Sequence, residues 1–227
     1  MGDSLLKIRQ EVIGCGRCPR LVNYRCQIAQ LKRRAYRDWQ YWGKPVPGLG
    51  NAQAQLLVLG LAPAAHGGNR TGRVFTGDSS GDLLFATLYR TGFANQPQSV
   101  SLDDGLRLRG AYITASVRCA PPANKPLPAE YRNCRDYLER ELDLLRNVKV
   151  VVALGKVAFD TYLSILQKRG RIASRSRFRF RHGAVYQFPP PLPVLIASYH
   201  PSRQNTQTGR LTQSMFLAVF RKAKACL

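Results

Sequence analysis

The chain has 227 residues, with 35 Lys and Arg against 13 Asp and Glu, a formal net charge of +22. An apolar share of 44% excludes a disordered basic tail, and a chain of this length can close a sizeable core. The charge points to a polyanionic partner, nucleic acid first, with an anionic membrane surface or plain solubility as the other readings.

Residues 1–14 read as a short amphipathic helix without the basic and apolar regions of a secretory signal. Leu6 stands where a myristoylation motif wants Ser or Thr, and the terminal Ala-Cys-Leu is no prenylation box. Residues 25–50 are basic and aromatic and break the pattern of the chain. Near-continuous apolar runs at 55–60, 111–116, 149–155 and 194–200 predict four parallel strands covered on both faces. Helical patterns at 80–91, 129–146, 156–167 and 213–226 lie between or after them. Residues 168–188 read as a basic hairpin turning at His182-Gly183. The expected fold is α/β, a three-layer α/β/α sandwich around a four-stranded parallel sheet, in one domain spanning 1–227. The longest uncharged run, 183–202, holds five prolines, so no spanning helix is expected. A cytoplasmic protein that meets no membrane is expected.

In such sheets ligands bind beyond the carboxyl ends of the strands, here residues 60–78, 117–125 and 198–208. The loop after the first strand is dense in glycine, from Gly60, Leu61 and Ala62 through His66, Arg70 and Phe75 to Asp78. Glycines let a backbone approach a ligand closely. Phe75 either stacks on a planar base or pins the loop to the core. Asp78 either caps the next helix or serves as a base or electrostatic stabiliser. No P-loop signature occurs there. After the fourth strand, His200 points towards the same cleft, and Ser202, Arg203 and their polar neighbours suit phosphate oxygens.

Six cysteines are present. Cys15 and Cys18 form a C-x2-C pair, and Cys119 and Cys134 have 14 residues between them. Four thiolates suit zinc or an iron–sulfur cluster, or are four unrelated core thiols. Cys26 and Cys226 have no partner spacing.

The segments GLAPAAHGGNRTGRVFTGDSSGDLL and HPSRQNTQTGR resemble the two motifs of the uracil-DNA glycosylase superfamily. With GCGRCPRLV, VRCAPPANKP and the Cys134 spacing, residues 10–220 resemble its family 5, the type B branch. The resemblance implies that Cys15, Cys18, Cys119 and Cys134 hold a [4Fe–4S] cluster in an N-terminal iron–sulfur segment. It implies that Phe75 stacks on the flipped base, that His200 donates to the uracil O2 side, and that Asp78 orients water or stabilises the sugar cation. Asn124 joins the catalytic set, and Gly60, Leu61, Ala62 and His66 line the pocket. Arg70 and Pro201, Ser202, Arg203, Gln204 and Asn205 are expected at the DNA. Leu61, Ala62 and Ala115 occupy places where related families carry polar residues, which implies a tolerant pocket accepting hypoxanthine, ethenocytosine or hydroxymethyluracil as well. The implied activity is a monofunctional glycosylase acting as a monomer on double- and single-stranded DNA, since neither motif loop contains a Schiff-base lysine. The other readings are a glycosylase whose main substrate is a deaminated purine, and a non-catalytic iron–sulfur protein that binds nucleic acid.

Overall fold

The computed structural model describes residues 2–227. Four aliphatic runs form β1 (Leu56–Gly60), β2 (Ala111–Ala115), β3 (Val150–Leu154) and β5 (Val194–Ser198), parallel throughout. The sheet has a fifth member, the two-residue β4 (Val185–Tyr186), which pairs antiparallel with β5, giving the order β2-β1-β3-β5-β4. The expected four-stranded parallel sheet is present, and this short antiparallel strand extends it at one edge to five.

The expected basic hairpin is corrected too. Phe178 and Phe180 turn inwards, where Phe178 meets Tyr186 and Phe188 and Phe180 meets Phe159 and Tyr199. The 175–181 segment thus runs as a strap over the sheet edge while Val185 and Tyr186 take up the free edge of β5. Covering an exposed edge in this way removes a row of unpaired backbone groups.

The pleat sends alternate strand residues to opposite faces. Leu56, Val58, Ile113, Val150, Val152 and Ile196 face one core, which α4 (Ser79–Arg90) covers with Leu84, Phe85 and Leu88 and α8 (Gln213–Ala225) with Phe216, Val219 and Phe220. Leu57, Leu59, Tyr112, Val151, Ala153 and Leu195 face the other, covered by α5 (Pro128–Leu144) through Leu138 and by α6 (Lys156–Lys168) through Phe159, Tyr162 and Leu163. This is the expected three-layer arrangement. Before β1, α1 (Leu5–Ile13) packs Ile8 and Val12 on Tyr137 of α5, and α2 (Pro19–Leu31) follows the Cys15–Cys18 knuckle. Pro19 and Pro128 open α2 and α5 at the first turn, where the missing N–H costs nothing. Arg20 pairs with Glu130 at 2.8 Å and ties these two helices together. No described helix is long and apolar enough to cross a membrane.

Because β1, β2, β3 and β5 are parallel, their carboxyl ends share one edge. The connection from β1 leaves towards β2 and that from β3 towards β5, so the crevice between them is a topological switch point. The short helices α3 (Gly68–Thr71) and α7 (Arg203–Gln207) lie in the loops beyond that edge.

Candidate active site

Backbone geometry at the end of β1 sets the site. A Cβ on Gly60 would stand 2.6 Å from the Phe75 ring, and one on Gly81 would overlap the Phe75 carbonyl oxygen. Phe75 itself has a φ of +54°, a strained value for a bulky residue. Two glycines thus make room for a constrained aromatic. Its ring lies against His200, with centroids 5.8 Å apart and planes 29° from parallel. Phe75 is 9% exposed, so it is pinned in the core and also faces the cleft.

Asp78 is the N-cap of α4: its Oδ1 accepts the N–H groups of Ser80 at 2.9 Å and Gly81 at 3.1 Å. The helix N-terminus favours the negative charge. Oδ2 rests over Gly67, where any Cβ would collide with it. Capping thus engages Oδ1 and leaves Oδ2 over Gly67. The charge of Asp78 reaches His200, but desolvation outweighs it and holds the imidazole below its ordinary value. Burial thus favours the neutral ring, which carries one N–H and no charge.

The loop after β5 is held by its own side chains. The Asn205 amide donates to the His200 carbonyl at 2.8 Å, and Arg203 Nε donates to Ser79 Oγ at 3.3 Å, bridging to α4. His182 Nδ1 accepts the Tyr199 N–H at 3.1 Å, and the His182 and Tyr199 rings stack. Pro201 is buried and Asn205 is turned inwards, so both shape the loop from beneath; Arg203 and Gln204 are exposed, and Ser202 is half-buried.

Arg70 departs from its expected place at the DNA. It is 4% exposed, and Nε donates to the His66 carbonyl at 2.9 Å and Nη2 to the Gly77 carbonyl at 3.0 Å. Its guanidinium carbon lies over the Tyr36 ring at 4.0 Å and over the Trp39 ring at 4.1 Å, and its Nη1 is buried without a hydrogen-bond partner. The side chain expected at the DNA is thus enclosed in the protein rather than presented at the surface. His66 is half-buried, its Nδ1 3.1 Å from the Tyr41 hydroxyl, and burial, then Arg33 and Arg70, lower its pKa. Leu61 and Ala62 are half-buried; the Leu61 carbonyl accepts the Val117 N–H, and Ala62 packs on the cysteine cluster. Asn124 is exposed on the turn after β2 at a φ of +56°, and no hydrogen bond ties its side chain to Asp78 or His200. Gly67, Gly81, Tyr36, Trp39 and Tyr41 were not picked out as site residues by sequence; the aromatic crowding at 36–42 was the signal available for the last three.

Cys15, Cys18, Cys119 and Cys134 line one narrow pocket with Arg17, Asn133 and Arg118. The last three of these cysteines are buried, and burial together with the neighbouring thiols pushes Cys119 up to about 12. The Asn133 amide donates to Cys18 Sγ at 3.4 Å. Among the described residues, no three or more His, Cys, Asp or Glu side chains are arranged to hold a single metal ion. Beneath this pocket Arg118 is buried and paired with Glu141 at 2.6 Å, and Glu141 also accepts from Tyr112 and Thr114.

Known proteins agree with this architecture. A model of the uracil DNA glycosylase superfamily matches residues 47–224. A type-5 uracil-DNA glycosylase of Thermus thermophilus is 51% identical over 95% of this chain and 94% of that protein. One of Mycobacterium tuberculosis is 47% identical over 97% of this chain and 81% of its own. A type-4 uracil-DNA glycosylase of Archaeoglobus fulgidus is 32% identical over 69% of this chain and 70% of its own. A core fold, a constrained Phe75 and a capped Asp78 facing His200 thus stand in a chain that belongs to the uracil-DNA glycosylase superfamily, within its type-5 branch.

Proposed function

We propose that this chain hydrolyses the N-glycosidic bond of uracil in DNA and leaves an abasic site. The observation that carries the reading is the Asp78 carboxylate, fixed by two backbone N–H groups, opposite a neutral His200 lying on Phe75. As the C1′–N1 bond breaks, its electron pair goes to the base and positive charge grows on the sugar. A fixed carboxylate near the sugar and a neutral N–H donor near the base match that charge separation. Water adds at C1′, and its proton ends on the departing base. The flipped base must first leave the stack, at a cost of a few kcal/mol, which stacking on Phe75 and insertion of the 201–205 loop offset. Exposed Arg203 and Gln204 present that loop to the duplex. His66, Gly60, Leu61 and Ala62 would line the pocket, with Asn124 at its rim. Apolar Leu61, Ala62 and Ala115 give a base few fixed hydrogen bonds to satisfy, so hypoxanthine and other deaminated bases are further substrates, in double- and single-stranded DNA, of a monomeric cytoplasmic enzyme.

Four thiols around a pocket, rather than at one point, suit a four-iron cluster, in which each thiolate binds a different iron. The donors beside them, such as the Asn133 amide on Cys18, suit negative sulfur. Cys15, Cys18, Cys119 and Cys134 would hold it. When bound, the cluster supplies a structural cross-link, since base hydrolysis moves no electrons. The pocket that would hold it lies against Ala62 and gathers the N-terminal knuckle, the residues after β2 and α5.

Single-turnover excision from duplexes carrying U:G and hypoxanthine:T, with and without alkali, tests the reading. Strand breaks that appear only after alkali are expected from both. Absence of alkali-labile sites from the U:G duplex would overturn it.

A further inference from the structure

Arg70 carries a positive charge inside the molecule with no carboxylate beside it, and its neighbours show what holds it there. Its Nε–H binds the carbonyl of His66, the residue before Gly67, over which Asp78 Oδ2 rests. Its Nη2–H binds the carbonyl of Gly77, the residue before Asp78 itself. One planar group therefore ties together the two backbone segments that flank the carboxylate, whose Oδ1 is held by Ser80 and Gly81. Gly77 has a φ of +83°, and a Cβ there would collide with Nη2, so the chain passes the guanidinium only as glycine. The Tyr36 and Trp39 rings both pack on it, and the same stretch is laced to the loop by the Trp42 N–H on the Arg70 carbonyl and the Gly43 N–H on the Asn69 carbonyl. The basic, aromatic segment that breaks the α/β rhythm thereby acquires a task.

We infer that Arg70, clamped against Tyr36 and Trp39, is a positioning residue that sets where the Asp78 carboxylate stands. The inference rests on the excision reading for its kinetic consequence but not for its structural one. A guanidinium can satisfy two carbonyls in a fixed fork and stack on aromatic rings; a lysine ammonium is a single point with no face to stack. Displacing a reacting group by about 1 Å costs on the order of 10²-fold in rate.

Arg70→Lys separates this role from a contact to DNA. Under single-turnover conditions on a U:G duplex, the rate constant at saturating enzyme should fall ~10- to 100-fold. The half-saturating concentration and the slope of log affinity against log salt should stay unchanged. A phosphate-binding arginine would do the opposite, flattening that slope by about one while sparing the chemical step, and that outcome overturns the inference. Should Arg70→Lys fold poorly, Trp39→Leu removes one ring face and leaves both hydrogen bonds. It should lower the same rate constant by a smaller factor, again without touching the salt slope; an unaltered rate would count against the clamp. Amide exchange of the free protein needs no substrate. Arg70→Lys should speed exchange within residues 63–80 and leave β3 and α6 as they were, and unchanged exchange in that loop overturns the inference. A wild-type chain that releases no uracil would sink the excision reading, while the exchange result would still decide the clamp.

Discussion

At Asp78 one oxygen ends a helix and the other is left for the cleft. Fixing a carboxylate with backbone N–H donors holds it still, which is what stabilising a short-lived cation requires. The histidines carry a separate consequence. Burial is the first cause lowering His66, His182 and His200 alike. Their folded-state values lie below the unfolded ones, so the unfolded chain takes up protons first as the medium acidifies. Stability should therefore be flat above pH ~6.5 and decline as pH falls below it. The lowered carboxylates Asp104 and Glu130 act in a different window, their contribution fading only as pH falls below ~4.5. Thermal melting between pH 8 and 5 checks this; a melting temperature that rises between pH 7 and 5.5 would contradict it. Sequence reading singles out Asp78, His200 and Phe75 because glycine density and strand-end position mark them, and the fold brings the three together. It gives no sign that Arg70 is buried, because a cation in a glycine-rich loop looks the same in sequence whether it faces a phosphate or two carbonyls.

At the scale of elements, the four main strands and their helices were legible because apolar runs covered on both faces leave an unmistakable pattern. The sheet edge was not, since a two-residue strand has no period to detect. The strap at 175–181 shows how local alternation can mislead. Phe178 and Phe180 pack inwards, as a strand's would, yet no second strand pairs with them. The alternation leaves Arg175, Arg177, Arg179 and Arg181 exposed with no carboxylate partner among the described residues, and the strap ends at His182, which holds Tyr199 next to His200. Arg175 and Arg177 stand on a turn closed by the Phe178 N–H on the Arg175 carbonyl, and Arg179 and Arg181 on the stretch after it, so four unpaired cations gather at one edge and suit phosphates. Replacing all four by Ser should flatten the salt dependence of duplex binding by about three to four in slope while leaving the single-turnover rate within a few-fold. Titrations from 50 to 300 mM salt read this out, and an unchanged slope would remove the strap from the interface.

Across the whole molecule, the charge of +22 and the thiol pocket act on the same cleft from different sides. The charge draws the polyanion in without regard to sequence. The pocket gathers residues from 15 to 134 behind Ala62, so anything bound there braces the rim. Cys119→Ser should lose iron and solubility together, as seen by elemental analysis and by loss of absorbance in the blue; a fully folded, iron-free variant with normal excision would contradict the brace. That four thiols share a pocket was foreseeable from their spacing, whereas the buried Arg118–Glu141 pair beneath them was not, because neither residue has a sequence signature. The central claim is that a capped carboxylate and a neutral histidine break a glycosidic bond. The most direct test is single-turnover release of uracil from a U:G duplex by the wild-type chain and by Asp78→Ala, with melting and duplex binding measured on both. Alkali-labile sites are expected from the wild type and a rate at least ~10²-fold lower from the variant, with binding retained. Equal rates in two folded proteins would contradict it.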